Sequence, residues 1–549
     1  MQLRPRSFTS GAVFLAAPPN SAAAPGEPSS MPTDPPPIGP LHLSDAQFRD
    51  RAADVLALIT DYWSRLQAHD PALPVMARTK PGEVFNQLPA AAPETTEPWE
   101  AVLDDLDRLI LPNLTHWQHP SFFAFFSANA SAPAVLGEML SAGLGVQGML
   151  WATSPACTEL ETRVLDWLAD AFGLPPHFRS GAALGPHLGG GVIQSTASEG
   201  TLAALLAARF RARRLAAHTD PDTLTPISVI TSTAAHSSVV KAAMIAGVAA
   251  GPDDRRHVLR INTDADGRMD LDHLESTLTR VLTSASGSPP PALVTGTLGT
   301  TATGAFDDLA GIRAVMDRTW LAHRGTAWPG WLHADAAWAG SAFICPEYRQ
   351  SAAALAAADS ISINPHKWLL TNFDCSLMWT RCRQDLVGSM SITPDYLRNA
   401  ASDSGSVIDY RDWHVPLGRR FRSLKLWFVL RHYGLEGLRA HIRVHIHAAK
   451  ELEHAIRADD RFEIPVPRSL SLLCFRLRGP GNELTRRLLD RLNASGQIAL
   501  TPTTLPTTPD RPAPVTVIRF AIGGTFTKAE HVQQAWHLIQ RTAGEVADA

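Results

Sequence analysis

Short apolar runs alternate with longer helical stretches between about residues 130 and 420, and this alternation limits the folds open to the chain. The apolar runs are TPISVITST (225–233), PPALVTGTLGTT (290–301), WLHADAAW (331–338) and SISINPHKWL (360–369). Helical stretches such as TLAALLAARFRARR and SVVKAAMIAGVAA lie between them. Alternation of this kind produces a mostly parallel sheet covered by helices. We therefore predict an α/β large domain over residues 129–422.

The flanking segments have different patterns. LSDAQFRDRAADVLALITDYWSRL carries apolar residues at helical spacing, with Ser44 as a candidate N-cap, and PWEAVLDDLDRLILPNL forms a second helical stretch. Each exposes one apolar stripe, so we expect residues 43–128 to pack on the body of the chain or on a second subunit. Residues 423–549 combine a long helical stretch with the strand candidates LSLLCFRLRG and PVTVIRFAIGG, which predicts a small α+β domain.

Residues 1–42 are rich in proline, alanine and serine and have little to bury, so we predict a disordered tail. The first 26 residues contain arginine and no acid, which also fits a targeting peptide. A third possibility is that translation begins at Met31. The five cysteines are scattered, with neither metal spacing nor a disulfide framework, which favours a reducing compartment and a cytoplasmic protein.

Bulk composition argues against two classes of partner. The net charge of −4 does not favour nucleic acid, which attracts a basic surface. No apolar stretch is long enough to span a bilayer, so we expect no membrane segment.

Polar residues stand where the predicted strands end. Asp335 follows one strand, Thr301 another and His236 a third, while Asn364, His366 and Lys367 follow SISI. In open α/β sheets the carboxyl ends of the strands meet at one edge, where ligands bind. We therefore expect these side chains to converge on one pocket.

A lysine and an aspartate at such strand ends suit pyridoxal phosphate. The cofactor forms a Schiff base with a lysine amine, and a carboxylate keeps its pyridine nitrogen protonated. Apolar surroundings favour the neutral amine, which explains why Lys367 lies in an apolar run. The segment GGGVIQSTASEGTLAALLAAR supplies a helix N-terminus for the phosphate, with Ser198 and the amide of Ala197 as donors. Thr196 and Glu199 match the spacing of a capping box.

Several long motifs extend this interpretation. SINPHKWLLTNFDCSLMW, LHADAAWAGSAFICPEYR, WATSPACTELETRVLDWL, THWQHPSFFAFF and PLGRRFRSLKLWFVLR closely resemble the group II pyridoxal-phosphate-dependent decarboxylases, in particular the aromatic-L-amino-acid decarboxylase branch. The resemblance covers about residues 43 to 545. It implies fold type I, the aspartate-aminotransferase-like fold, and a homodimer with exchanged N-terminal helices.

The resemblance also implies roles for single residues. Lys367 matches the Schiff-base lysine, Asp335 the pyridinium partner and His236 the histidine stacked on the ring. Ala337 matches the small residue under the opposite ring face. Residues around the phosphate and beside the cofactor match Thr196, Ala197, Ser198, Asn364, His366 and Thr301.

One position bears on the reaction. SITPDYLRNAASDSGS is polar, which predicts a mobile loop, and it resembles the family's catalytic loop. Tyr396 falls where decarboxylating members carry a tyrosine implicated in protonating Cα, and relatives with phenylalanine form an aldehyde instead. We therefore expect decarboxylation, with an aldehyde-forming or transaminating enzyme as the alternatives.

The substrate pocket leaves a choice of side chain. Phe125, Phe126 and Trp151 favour a large flat group, and Gly418 matches a glycine that leaves room for it. Gln147 and Met149 stand where animal relatives carry an aliphatic and an aromatic residue, at positions that face the substrate from the partner subunit. Gln147 favours a hydrogen-bonding side chain, including that of a diamino acid such as 2,4-diaminobutyrate. We favour an aromatic substrate.

Two other protein classes compete with a pyridoxal enzyme. His441 and His445 in HIRVHIHAAKELEH have the spacing of a metalloprotease helix, but Ile442 replaces the required glutamate. A solvated helix face without a metal is the simpler interpretation. A non-catalytic relative would act as a binding scaffold, but it would not need to keep Lys367, Asp335 and Tyr396.

Overall fold

This computed structural model describes residues 42–180, 189–215, 226–283, 288–392, 394, 397–398, 400–508 and 511–547. The chain divides into two compact units, one ending at Asp61 and the other starting at Tyr62. Among the described residues, no helix is both long and apolar enough to cross a membrane.

The N-terminal helix α1 (Asp45–Gln67) begins as the sequence predicts. The Ser44 hydroxyl accepts a hydrogen bond from the Gln47 amide (3.3 Å), and the Gln47 side chain accepts one from the Ser44 amide (2.9 Å). This reciprocal pair is a capping box. Within the first unit the apolar side chains of Phe48, Val55 and Leu56 are exposed, so the predicted apolar stripe is present.

After α1 the chain forms α2 (Trp99–Asp105), α3 (Ala132–Leu144) and α4 (Pro155–Phe172). Strands and helices then alternate, as predicted. They are β1 (Gly190–Gln194), α5 (Ala197–Leu215), β2 (Ser228–Ser232), α6 (Ser238–Ile245), β3 (Val258–Ile261), α7 (Leu271–Thr283), β4 (Pro291–Thr297), α8 (Leu309–Arg324), β5 (Trp331–Asp335), α9 (Arg349–Ala353), β6 (Ser360–Ile363), α10 (Pro365–Trp368), β7 (Ser376–Thr380), α11 (Arg383–Gly388) and α12 (Ala400–Asp403).

These strands form one seven-stranded sheet in the order β1-β7-β6-β5-β4-β2-β3. Strands β2 to β6 run parallel, and β7 is antiparallel to both β1 and β6. Nearly all strand residues are buried, as expected for a sheet with helices on both faces. The mostly parallel α/β sheet predicted from the sequence is confirmed.

The sheet register aligns the ends of the central strands. Thr297 at the end of β4 pairs with Asp335 at the end of β5, and Asp335 pairs with Ser362 in β6. The turn after β4 needs Gly299, whose φ is 89° and whose position would put a β-carbon 2.5 Å from that of Ala339. The polar residues at the carboxyl ends of β4, β5 and β6 therefore lie at one edge of the sheet.

A second, smaller sheet follows in the chain. Its elements are α13 (Arg422–Arg457), β8 (Phe462–Glu463), β9 (Leu472–Leu477), α14 (Glu483–Ala494), β10 (Thr501–Leu505), β11 (Val515–Ala521) and α15 (Ala529–Ala547). The strands are antiparallel in the order β10-β11-β9-β8. Strands β8, β9 and β11 share an apolar cluster with α13, α14 and α15. The helix α13 is broken at Gly434, where φ is 62° and ψ is 175°. The two strands predicted in this region lie in β9 and β11.

Candidate active site

A cavity of about 220 Å³ lies at the carboxyl ends of β4, β5 and β6. Strands β1 and β6 are both antiparallel to β7, so they run in the same direction. The carboxyl end of β1 therefore lies at the same edge of the sheet as those of β4, β5 and β6, and residues that follow it contribute to the cavity wall. The predicted residues that line it are Phe126, Thr196, Ala197, Ser198, His236, Thr301, Asp335, Ala337, Asn364, His366 and Lys367. The convergence expected from the sequence is therefore present.

Lys367 lies in the single turn of α10, directly after β6. Burial lowers the pKa of its amine; the Asp335 carboxylate opposes this shift and the Arg519 guanidinium adds to it. Its Nζ atom is 5.5 Å from the centre of the Phe126 ring. A lowered pKa increases the neutral fraction of the amine, which is the nucleophilic form.

Asp335 is the last residue of β5 and is only 6% exposed. One of its carboxylate oxygens, Oδ1, accepts a hydrogen bond from the Ala337 amide at 3.1 Å. Nearby His236 uses Nδ1 to accept a hydrogen bond from the Ser238 amide (3.2 Å), so a neutral ring carries its proton on Nε2. Burial lowers the pKa of His236, against the opposing effect of Asp335.

The turn from β1 into α5 differs in one detail from the prediction. Glu199 accepts hydrogen bonds from the Ser195 amide (2.8 Å) and the Ser195 hydroxyl (2.6 Å), so the predicted capping box at Thr196 is wrong by one residue. The carboxylate therefore bonds the residue before Thr196, although α5 begins at Ala197. Thr196 and Ser198 are consequently left to face the cavity at the start of a helix, where backbone N–H groups attract anions.

Two buried residues close another part of the wall. His366 accepts a hydrogen bond on Nδ1 from the Cys375 amide (3.0 Å), and burial lowers its pKa to about 3, so it is neutral near pH 7. The Asn364 side-chain oxygen, Oδ1, accepts a hydrogen bond from the Ser376 hydroxyl at 2.6 Å. The NH₂ group of Asn364 is therefore the part of that side chain left for a ligand.

Some predicted residues do not line this cavity. Phe125 borders an adjoining cavity of about 740 Å³, to which His236 and Thr301 also contribute. Tyr396 lies outside the described residues.

Four other predicted pocket residues, Gln147, Met149, Trp151 and Gly418, form a separate group. The Gln147 side-chain oxygen accepts from the Arg419 amide (3.2 Å), the Met149 carbonyl accepts from the Arg411 amide (3.0 Å), and the Trp151 indole donates to Glu159 (2.9 Å). A β-carbon on Gly418 would lie 3.5 Å from the Gln147 oxygen. None of the four lines the cavity that contains Lys367 in the same chain. The contribution of Gln147 and Met149 from a second subunit stays a prediction.

Arg519 is a site residue that the sequence interpretation missed. It is 3% exposed and belongs to β11 of the small domain. Its guanidinium donates to the Thr501 hydroxyl (2.9 Å) and the Ala302 carbonyl (3.1 Å), and it lies 5.2 Å from the centre of the Phe126 ring. Within the described part of the chain no carboxylate pairs with it. The sequence signal that could have identified it is a charged residue within the apolar run VTVIRFAI.

Stacked rings lead away from the lysine. Phe126 stacks on Trp338 (centroids 4.3 Å apart) and Trp338 on Trp368 (5.4 Å). The Trp368 indole N–H donates to Nδ1 of His445 at 3.0 Å, so His445 carries its own proton on Nε2, which donates to the Thr527 carbonyl (3.2 Å). We call Phe126, Trp338, Trp368 and His445 the aromatic column.

The competing metal-site interpretation gains no support from this geometry. His445 is 1% exposed, so the expected solvated helix face is wrong at this residue, because Trp368 packs against it. Burial lowers the pKa of His445 to about 4. No group of metal-ligating side chains is found among the described residues.

The cavity suits pyridoxal phosphate. The Thr297 hydroxyl lines it and is buried without a hydrogen-bond partner among the described residues, which indicates that a polar ligand completes the site. A lysine of lowered pKa, a buried carboxylate and a helix N-terminus provide partners for an aldehyde, a ring nitrogen and a phosphate. Fold and site together define a fold type I pyridoxal-phosphate enzyme.

Comparison with known proteins identifies the family within that class. The family model described as "Pyridoxal-dependent decarboxylase conserved domain" matches residues 81–478, and the chain belongs to this family. The aromatic-L-amino-acid decarboxylase of Mus musculus is 41% identical over 512 residues, covering 92% of this chain and 99% of the mouse protein. The phenylacetaldehyde synthase of Arabidopsis thaliana is also 41% identical, over 507 residues, covering 91% of this chain and 96% of that protein.

A solved structure agrees with this assignment. The crystal structure of Oryza sativa TDC with PLP and tryptamine matches with a TM-score of 0.83 and 36% identity, covering 92% of this chain and 99% of that one. The family resemblance and the fold type I assignment made from the sequence are confirmed.

Proposed function

We propose that this chain decarboxylates an aromatic L-amino acid to the amine and carbon dioxide, with pyridoxal phosphate as cofactor. The observation that carries the proposal is the joint presence of Lys367 and Asp335 in one cavity with the start of α5. The names of the mouse relative and of the ligand in the rice structure support an aromatic substrate.

When bound, pyridoxal phosphate supplies an aldehyde that attaches to an amine and a ring that accepts the electron pair of a breaking bond. Lys367 is the amine that holds the cofactor covalently, and its lowered pKa assists that attachment. One oxygen of Asp335 is engaged by the Ala337 amide, and the carboxylate would keep the ring nitrogen protonated. Thr196, Ser198 and the amide of Ala197 would bind the phosphate, and His236 would pack against the ring.

Arg519 receives the α-carboxylate of the substrate. It is a buried guanidinium beside Phe126 and near Lys367, and its hydrogen-bond partners are neutral oxygens. A buried cation without a charged partner gains from an incoming anion. Holding the carboxylate at Arg519 fixes the bond between Cα and the carboxylate carbon that breaks in the reaction.

A proton must return to Cα for the reaction to balance. Loss of the carboxylate as carbon dioxide leaves its bonding electron pair on the substrate, and one proton added at Cα gives the amine. We assign that proton to the phenol of Tyr396, on the strength of the family motif around it. A phenol placed at Cα can act as the general acid.

The substrate side chain occupies the adjoining cavity of about 740 Å³ beside Phe125. This cavity is wide enough for a large ring, and the Phe125 side chain is 53% exposed, so it is available for contact. Because the oxygen of Gln147 already accepts from the Arg419 amide, that residue offers less to a diamino acid than the sequence suggested.

The first experiment locates the covalent bond. Borohydride reduction of the cofactor-loaded protein should label Lys367, as read by mass spectrometry of its peptides. Lys367→Ala should lose the visible absorbance of the bound cofactor and all turnover. Labelling of a different lysine, or multiple turnovers by Lys367→Ala, would refute the assignment.

The second experiment concerns the product. Wild-type protein should release carbon dioxide and one equivalent of amine from tryptophan, tyrosine, phenylalanine or Dopa, and Tyr396→Phe should shift the product from amine towards aldehyde. An aldehyde as the main product of the wild type would favour the phenylacetaldehyde-synthase type of reaction instead. Amine release only from diamino acids would overturn the aromatic assignment.

We also propose a homodimer. The exposed apolar side chains of Leu136, Met139, Leu140 and Leu144 follow one another along α3 at helical spacing, and α1 carries its own exposed stripe. Patches of this kind mark protein interfaces. Mixing Lys367→Ala with Tyr396→Phe subunits tests whether Tyr396 acts on the partner's site. If it does, the mixture should regain amine formation that neither variant has alone.

The compartment remains part of this proposal. All five cysteines are free, which suits a reducing compartment such as the cytoplasm. For the domains, we propose the predicted boundaries of 43–128, 129–422 and 423–549.

A further inference from the structure

Asn129 forms hydrogen bonds that converge on the backbone of the reactive lysine. The residue is 1% exposed. Its side-chain NH₂ group donates to the carbonyl of Lys367 and to the carbonyl of Gly523, the latter at 3.0 Å. Its own backbone N–H donates to the carbonyl of His366 at 2.9 Å. One side chain therefore joins the α10 turn to the segment that follows β11.

The orientation of the amide is fixed by its neighbours. Two carbonyl oxygens require the two N–H bonds of the NH₂ group, and the amide oxygen accepts from the Thr525 hydroxyl at 3.2 Å. That hydroxyl in turn accepts from the Ala130 amide at 3.1 Å. An aspartate of the same shape could not donate to either carbonyl.

A second set of bonds reaches the same part of the small domain. Trp368, next to Lys367 in the chain, is linked through His445 to the carbonyl of Thr527. The lysine and its neighbour are therefore both attached to residues 523–527, although about 160 residues of chain separate them.

We propose that Asn129 is a positioning residue that fixes the backbone of Lys367 to the small domain and thereby sets the position of the reactive amine. This inference rests on the proposed function, because it gives Lys367 the covalent role. Asn129 does not line the cavity, so it acts only through Lys367. Misplacement of a reacting group by about 1 Å costs up to about 100-fold in rate. A hydrogen bond that prevents such a shift of Lys367 therefore has a large effect on the reaction.

The test compares Asn129→Asp with Asn493→Asp, in the full-length cofactor-loaded protein. Asn493 is a matched control, because its amide also bonds backbone on both sides, to the carbonyl (3.1 Å) and amide (2.9 Å) of Leu500, within the small domain. The readouts are kcat and KM for amine formation, the rate at which hydroxylamine removes the bound cofactor, and the urea midpoint of unfolding.

We expect Asn129→Asp to lower kcat by about 10- to 100-fold and to slow the hydroxylamine reaction similarly, with KM changed by less than about threefold. Asn493→Asp should shift the urea midpoint while leaving both rates within about twofold of wild type. If Asn129→Asp also changes only the urea midpoint, the residue is merely structural and the proposal fails.

A milder variant covers the case in which Asn129→Asp does not fold. Thr525→Val leaves both N–H bonds of Asn129 and removes only the hydroxyl that orients the amide. Thr525→Val should lower kcat and the rate of the hydroxylamine reaction severalfold. If both stay unchanged, the proposal is overturned. The hydroxylamine rate does not depend on turnover, so it still tests Asn129 if the wild type proves to have no decarboxylase activity.

Discussion

Replacing Glu161 by glutamine removes one charge from a buried ion pair without changing the shape of the side chain. Glu161 and Arg419 have side chains that are 2% and 1% exposed, and Oε1 of Glu161 lies 2.5 Å from a terminal guanidinium nitrogen. The same oxygen accepts from the Ile193 amide in β1 at 2.8 Å. Glutamine can keep the bond to Ile193, so the variant isolates the loss of charge.

The expected cost follows from the burial of the remaining guanidinium. Removing one partner of a buried pair costs about 3–5 kcal/mol, because the other charge stays buried without compensation. Another guanidinium nitrogen of Arg419 already lacks a hydrogen-bond partner among the described residues, so it has no alternative anion. We therefore expect the free energy of unfolding to fall by about 3–5 kcal/mol.

Urea denaturation at a fixed, saturating cofactor concentration measures this loss, because a bound ligand adds its own stabilisation. Glu275→Gln is the matched control, since Glu275 pairs with Arg318 on the surface, where their side chains are 41% and 53% exposed. Exposed pairs often contribute nothing measurable. The reasoning is refuted if Glu161→Gln loses no more stability than Glu275→Gln.

Three further changes test other parts of the molecule. Burial lowers the pKa of His119 from its ordinary 6.5 to about 3, so between these pH values His119 is protonated in the unfolded chain and neutral in the folded chain. The free energy of unfolding should therefore fall as the pH drops below about 6.5, by up to about 1.4 kcal/mol per pH unit. In urea titrations at several pH values, His119→Gln should flatten this dependence. Gly299→Ala should destabilise the protein by at least about 1–3 kcal/mol and weaken cofactor binding in equilibrium dialysis, because its positive φ is strained for alanine and the β-carbon would clash. Trp368→Phe should cost about 1–3 kcal/mol by leaving the acceptor nitrogen of His445 unpaired, whereas Trp167→Phe at a 42% exposed site should have little effect on the urea midpoint.

The sequence predicted those parts of the site that follow from the geometry of a parallel sheet. Asp335 and Lys367 could be placed together because each directly follows an apolar run, and the carboxyl ends of parallel strands share an edge. The helix after β1 was predicted from its own segment, in which glycines and a short apolar run precede small hydroxyl residues and a helical stretch. Its capping partner was wrong by one residue, because the spacing does not specify which of two neighbouring amides the Glu199 carboxylate reaches.

Other features depend on the packing of distant segments. Arg519 reaches the site from the small domain, and no local pattern indicates which face of β11 turns towards Lys367. Asn129 bonds to backbone carbonyls, so its partners leave no trace in side-chain patterns. The face of α13 that carries His445 looked polar in the sequence, but Trp368 supplies a matching donor and permits its burial.

The aromatic column also gives the protein a built-in optical reporter. Trp338 and Trp368 stack at 5.4 Å, and Trp338 lines the cavity where the cofactor is proposed to bind. Two indoles at that separation couple their electronic transitions, and a pyridine chromophore bound beside them would quench their fluorescence. Binding of the cofactor should therefore decrease the tryptophan fluorescence of the protein in proportion to occupancy. Cofactor titrations can then be followed without any attached dye.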